Sequence, residues 1–237
     1  MELRLKGGVI IIGSLLWEDN LDKDDKIRLN WRNCHLDLKN KIYVKVPIRY
    51  GKESGKNNIP IATMVFSNKM RNKKGFCYVV PFKRIINNID ELLCEAVALS
   101  VAEGMKGNFV RDWGVLSYLF NDSLIGDEPK KEIVRLFRKR KNDKFNIEDY
   151  RCNGEISCLT EFLKLDINWL EPVLESDRPI LNTFHFLLAT ATKPTKPFLR
   201  LCDIAKMVKT DNNRRYYLNN LMNGIFTYDD FNISELL

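Results

Sequence analysis

The sequence has no Cys-x-x-Cys pair, and His35 and His185 are its only imidazoles among 237 residues. A structural zinc site needs four closely spaced thiolate or imidazole ligands, so no metal is expected. Six cysteines (Cys34, Cys77, Cys94, Cys152, Cys158 and Cys202) are scattered along the chain. They read as core or surface thiols of a reducing compartment. Cys34 adjoins His35, but neighbours on a strand face opposite ways, which separates a nucleophile from its base. No run approaches the ~18 consecutive apolar residues of a membrane span. The opening Met1-Glu2-Leu3-Arg4-Leu5-Lys6 lacks the regions of a signal peptide. A cytoplasmic protein without membrane association is the expectation. Internal repeats, low-complexity tracts and a long Gly/Ser linker are also missing.

What is present supports a sizeable core, since hydrophobic residues make up 45% of the chain. Net charge is +7, and two basic clusters stand out. Lys69-Met70-Arg71-Asn72-Lys73-Lys74 reads as a turn between strands. Arg135, Arg138, Lys139, Arg140 and Lys141 fall within a helix. Such patches either neutralise phosphates or form a solvated surface. No helix-turn-helix, zinc finger or RNA-binding aromatic motif accompanies them. Any nucleic-acid binding is expected to be weak and non-specific.

Up to about Ser123 the chain reads mainly as strands: Gly8 to Ile12, Ile42 to Val46, Ile61 to Phe66, Phe76 to Val80 and Val115 to Phe120. Arg49-Tyr50-Gly51-Lys52-Glu53-Ser54 reads as a loop after Pro47, with Arg49, Tyr50 and Lys52 available to hold a carboxylate or phosphate. One prominent helix interrupts the strands, from Ile89 to Gly104, with Asn88 as its cap and Asp90 and Glu91 in its first turn. Ile89, Leu92, Leu93, Ala96, Val97, Ser100 and Val101 form its apolar stripe, with Glu91 and Glu95 on the far side. At 100° per residue Glu103 lies about 40° from Ile89, inside the buried arc. A carboxylate aimed inward there has its pKa raised and suits proton transfer. A frayed last turn would instead release it to solvent.

The first strand runs into Gly13-Ser14-Leu15, a loop able to offer backbone N–H groups and a hydroxyl to carboxylates or carbonyl oxygens. A plain strand-ending turn has the same pattern. This strand and loop resemble the signature of the γ-glutamyl cyclotransferase-like superfamily, Tyr-Gly-Ser-Leu or Tyr-Gly-Ser-Asn, with Ile12 here in place of the tyrosine. Leu99-Ser100-Val101-Ala102-Glu103-Gly104 resembles the family's Leu-x-x-x-Glu-Gly helix end. The resemblance covers roughly the first half of the chain. It implies an α+β fold with a mixed or antiparallel β-barrel over residues 1–125. It also implies Glu103 as catalytic acid/base and substrate binding by Gly13, Ser14 and Leu15; Arg49 and Tyr50 join them as substrate-binding candidates on charge and hydrogen-bonding capacity alone, with a solvated loop as the alternative. The family's reaction closes a γ-glutamyl amine into 5-oxoproline and releases the free amine, with no metal or organic cofactor. The partner is then a small molecule bearing a carboxylate or amide.

Residues 126–237 read as a mainly helical extension packed on that core, with helices over Glu132 to Lys141, Glu155 to Leu165 and Ala205 to Asn223. Phe184 to Thr190 reads as a strand returning to the sheet. Arg214, Arg215, Tyr216 and Tyr217 mix basic and aromatic residues as a nucleic-acid surface does, but Tyr217, Leu218, Leu221, Met222 and Ile225 recur at helical spacing as a core stripe, and the core is the preferred reading. Trp31 and Arg32 read equally as surface packing. Three functions remain open: a cyclotransferase-like enzyme, a non-catalytic binding protein of the same fold (favoured by Ile12), and a basic nucleic-acid-associated module.

Overall fold

Val9, Ile10 and Ile11 lie in β1 (Gly7–Ile11), a strand buried along its whole length. The computed structural model describes residues 3–19, 26–54, 61–151, 156–196 and 199–237. Burial of β1 on both faces explains its uninterrupted β-branched run, which alternation would otherwise break. After β1 come α1 (Ile27–His35), β2 (Ile42–Val46), β3 (Ile48–Ser54), β4 (Ile61–Phe66), β5 (Gly75–Pro81) and α2 (Ile89–Ala102). Then follow β6 (Val110–Arg111), β7 (Gly114–Phe120), α3 (Asp127–Arg140), β8 (Glu171–Pro172), α4 (Arg178–Leu181) and β9 (Phe186–Thr192). Helices α5 (Leu201–Val208), α6 (Asp211–Met222) and α7 (Asp230–Ser234) complete the order.

Seven strands form one sheet in the order β6-β7-β9-β1-β5-β2-β8, and β3 and β4 pair separately as a hairpin. Among the described residues these strands pair antiparallel except β1 with β9, where Val9 sits opposite Leu188. The fold is therefore α+β with a mostly antiparallel sheet. Among the described residues the sheet does not close into a barrel: β6 and β8 are its two open ends. The hairpin packs across β9, α5 and α6. Strand β9 lies between β7 and β1, so residues from beyond position 126 form part of the centre of the sheet and not only a helical extension.

Several expectations need correction. Arg49 to Ser54 is strand β3, not a loop. The described part of the expected 155–165 helix is irregular: Leu163 has φ +63°, and the Leu165 N–H donates to the Tyr118 carbonyl at 2.7 Å. A left-handed leucine cannot continue a helix. Ala205 to Asn223 is not one helix but α5 and α6, separated where Thr210 turns extended with ψ 142°. Cys34 and His35 sit on α1, not on a strand. Trp31 and Arg32 are buried. Arg32 clamps the loop after β1 by donating to the Leu15 carbonyl at 2.7 Å and pairing with Asp19.

The buried face of α2 also differs from the expected stripe. Leu92, Glu95, Ala96, Leu99, Ser100 and Ala102 are buried, while Val101 is exposed. Glu95 faces inward because α1 supplies its partner. His35 Nδ1 lies 2.7 Å from one carboxylate oxygen and Arg84 Nε donates to the other at 2.7 Å. Apolar periodicity cannot locate an acid whose burial is compensated by an imidazole and a guanidinium from elsewhere in the chain.

Candidate active site

The chain beyond β1 forms a single tight turn over Ser14–Leu16, closed by the Leu16 N–H donating to the Gly13 carbonyl at 3.2 Å. The N–H groups that open such a turn have no partner within it. Among the described residues those of Ser14 and Leu15 have none elsewhere. They border a cavity of about 270 Å³ that reaches from the loop to Glu103, Lys52, Thr190, Trp113 and Tyr216. At roughly 30 Å³ per water, that volume holds one small molecule or about nine waters.

Glu103 reaches the cavity because α2 ends there. Gly104 adopts φ +78°, its N–H donates to the Val101 carbonyl at 2.9 Å, and the Met105 N–H donates to the Ser100 carbonyl at 2.8 Å. These two bonds and the buried Met105 close the helix in a Schellman motif, which glycine enters without steric cost. The last turn is thus closed, not frayed. Glu103 lies about 20° from Leu92 around the helix, at the middle of the buried arc. Its side chain is 17% exposed. Burial raises its pKa above the ordinary 4.5, opposed by Arg28, whose guanidinium is 3.9 Å away, and by Thr190. The Thr190 hydroxyl acts from outside ordinary hydrogen-bond geometry, since its buried oxygen has no hydrogen-bond partner.

Arg28, Arg32 and His35 fall at i, i+4 and i+7 of α1 and so share one face. Arg28 donates to the Ala102 carbonyl at 3.1 Å and to Ser14 Oγ at 3.2 Å, and it pairs with Glu18. It joins the loop to the end of α2. With His35 on Glu95, it holds α1 antiparallel to α2 at two points.

Lys52 enters the cavity through an irregularity in β3. Tyr50 pairs with Met64 and Lys52 with the next residue, Thr63, leaving Gly51 as an extra residue on one strand. Such a bulge turns residues two apart onto different faces. Tyr50 consequently points into the protein and donates to Asp230 Oδ1 at 2.9 Å, while Lys52 borders the cavity. The Lys52 ammonium donates to the Trp113 carbonyl at 3.3 Å and stands 5.0 Å from the centre of its ring. Burial pushes its pKa down to about 8, against the opposing pull of Glu103.

Tyr216, on α6, covers the loop. A side chain at Gly13 would begin 2.9 Å from the Tyr216 hydroxyl, so glycine is needed for this close approach. Burial pushes the phenol up to about 12, which keeps it protonated at neutral pH. Trp17 fixes the same helix by donating from its indole to Asn220 Oδ1 at 2.8 Å.

The structure brings Gly13, Ser14, Leu15 and Glu103 to one cavity. Arg49 and Tyr50 do not border it. Arg49 is buried and donates to the Tyr50 carbonyl at 3.0 Å, and Tyr50 is committed to Asp230. The bulge, invisible in a loop reading, separates Tyr50 from Lys52. Lys52, read from the sequence with Arg49 and Tyr50 as a residue able to hold a carboxylate or phosphate, does border the cavity; Arg28 and Thr190 were not selected from the sequence, and Tyr216 was read as core. The spacing of Arg28 with Arg32 and His35, and a threonine within the apolar run of β9, are signals that could have found the first two.

The basic clusters are largely occupied. Lys74 pairs with Glu171 at 2.8 Å, Arg71 with Asp166 at 3.8 Å, and Lys141 with Glu161 at 3.5 Å. Arg138 lies 3.8 Å from the centre of the Phe162 ring. Among the described residues no His, Cys, Asp and Glu group is arranged to hold a metal ion, and no helix is long and apolar enough to cross a membrane. Comparison with protein-family models, curated proteins and solved structures finds no match to this chain.

Proposed function

We propose that the cavity cyclises a γ-glutamyl or related amide-linked small molecule, with Glu103 as proton shuttle. The observation that carries this reading is the meeting of the Glu103 carboxyl with the Gly13-Ser14-Leu15 loop in one small cavity. In this reading the open sheet, with the β3–β4 hairpin packed across it, corresponds to the barrel of the γ-glutamyl cyclotransferase-like fold.

The chemistry needs little beyond placement. The Glu103 carboxylate takes a proton from the substrate ammonium, and the freed amine attacks the side-chain carbonyl to form a C–N bond in a five-membered ring. Both reacting groups belong to one molecule, so holding the folded conformer supplies much of the rate. The Ser14 and Leu15 N–H groups face the oxyanion that develops at that carbonyl. Glu103 then returns the proton to the leaving nitrogen as the amide C–N bond breaks, giving 5-oxoproline and a free amine. Burial raises the Glu103 pKa, which makes its carboxylate a better base than a solvated one.

The test is release of 5-oxoproline from γ-L-glutamyl amines by the parent chain and by Glu103→Gln. Turnover by the parent and none by the variant supports the reading. A second reading, a binding protein without turnover, is favoured by Ile12, which borders the cavity and brings no hydroxyl. Binding of a γ-glutamyl amine by both proteins with no product from either selects it.

A further inference from the structure

We propose that Lys52 anchors a ligand carboxylate, so that the cavity selects α-amino-acid derivatives whose carboxylate and ammonium are both free, held between Lys52 and Glu103. Two observations outside the loop carry this. Lys52 and Arg28 are the cations of the cavity, and Arg28 is already committed to Glu18, Ser14 and the Ala102 carbonyl. Among the described residues, no carboxylate lies within ion-pair distance of the Lys52 ammonium, whose recorded contacts are the Trp113 carbonyl and ring. Thr190, only 7% exposed, adds a buried hydroxyl without a hydrogen-bond partner at the same cavity. A buried donor left without a partner is costly, and a ligand oxygen satisfies it.

The arrangement fits one end of an amino acid. Carboxylate and ammonium on a single α-carbon present opposite charges side by side. Lys52 and Glu103 present the complementary pair and are close enough to act on each other electrostatically. The Gly51 bulge is the device that aims this lysine, because regular pairing would send it the way of Tyr50. With the carboxylate held by Lys52, the loop N–H groups are left for the amide oxygen. The inference rests on the cyclotransferase reading only for this last assignment.

Calorimetric titration with L-glutamine and with L-glutaminamide, which lacks the carboxylate, tests it on the full chain. Parent protein is expected to bind L-glutamine at least about 10-fold more tightly than the amide, as for a charge-assisted hydrogen bond. Lys52→Gln should lose that preference while keeping the parent's affinity for the amide, and Lys52→Arg should retain part of it. Thermal melting checks folding, with Lys52→Met as a second neutral variant. Equal binding of L-glutamine by parent and Lys52→Gln overturns the proposal. So does an equal loss of both ligands, or failure of the parent to bind L-glutamine at millimolar concentration. Following 5-oxoproline separates anchor from reaction. Lys52-dependent binding with no turnover of any γ-glutamyl amide keeps the anchor and removes the cyclotransferase reading. Turnover with KM unchanged in Lys52→Gln keeps the reaction and removes the anchor.

Discussion

The phenolic oxygen of Tyr216 stands 2.9 Å from the point where a side chain on residue 13 would begin, so a helix near the end of the chain covers a loop near its start. The two positions therefore share one space. Gly13→Ala should destabilise the fold by about 1–3 kcal/mol through overpacking. In the double variant with Tyr216→Phe, the closest obstructing atom is gone and part of that loss should return. Urea denaturation of the four proteins measures the coupling, expected at about 0.5 kcal/mol or more. Strict additivity would show that the two residues do not press on each other.

Glu103→Gln should abolish turnover while leaving the fold intact. Because the folded-state pKa of Glu103 is raised, its contribution to stability is fullest below the unfolded value and is lost as pH rises through the folded value. Glutamine does not titrate, so the variant should gain on the parent between acidic and neutral pH. Melting temperatures at pH 4 and pH 7.5 check the sign. A variant that gains nothing over this range would mean that the carboxylate is well solvated.

Lys52 should set the alkaline limb of activity. With its pKa at about 8, the ammonium is lost above that pH, and kcat/KM for a substrate with a free carboxylate should fall there. Lys52→Arg should move the limb upward, since guanidinium stays charged. An alkaline limb that stays near pH 8 in the arginine variant would assign it to another group.

How much of this could be read from the chain depends on whether a signal is local. Strands such as Ile42–Val46 and Phe76–Val80 announce themselves through β-branched and aromatic residues, and the loop after β1 through Gly13-Ser14. Gly104 and the phase of Glu103 likewise follow from helix geometry. Lys52 is different: its direction depends on a bulge whose partner, Thr63, lies on another strand. Glu95 looks outward on apolar spacing because His35 and Arg84, which make its burial tolerable, belong to other segments. Tyr216 reads as core for the same reason, as only tertiary packing sets it against Gly13.

Glu95 makes a further stability test. Its carboxylate is buried, whereas His35 and Arg84 are both partly exposed. Removing both partners leaves the buried carboxylate without compensation, so His35→Ala with Arg84→Ala should cost about 3–5 kcal/mol. Glu95→Leu leaves two partly exposed partners that can turn to water and should cost much less. Equal losses in chemical denaturation would mean that the carboxylate, not its burial, matters.

Asp230 supplies a pH test away from the cavity. Burial lifts its carboxyl from 3.8 to about 6 while the Tyr50 hydroxyl and the Thr227 N–H donate to it. The shift is upward, so the contribution of Asp230 to stability is fullest below about pH 4 and is lost as pH rises through 6, roughly 3 kcal/mol in all. Asp230→Asn should flatten that dependence between pH 4 and 7.5 in denaturant titrations, and an unchanged slope would exclude Asp230 as its source.

The parallel pairing of β1 with β9 has a consequence for synthesis. Val9 leaves the ribosome long before Leu188, yet the two end side by side at the centre of the sheet. Until residues 186–192 emerge, the facing edges of β1 and β7 lack the strand that joins them, and Glu103 waits without Thr190. The nascent chain must hold an apolar seam open until that strand emerges, a situation in which slow closure and chaperone engagement are expected.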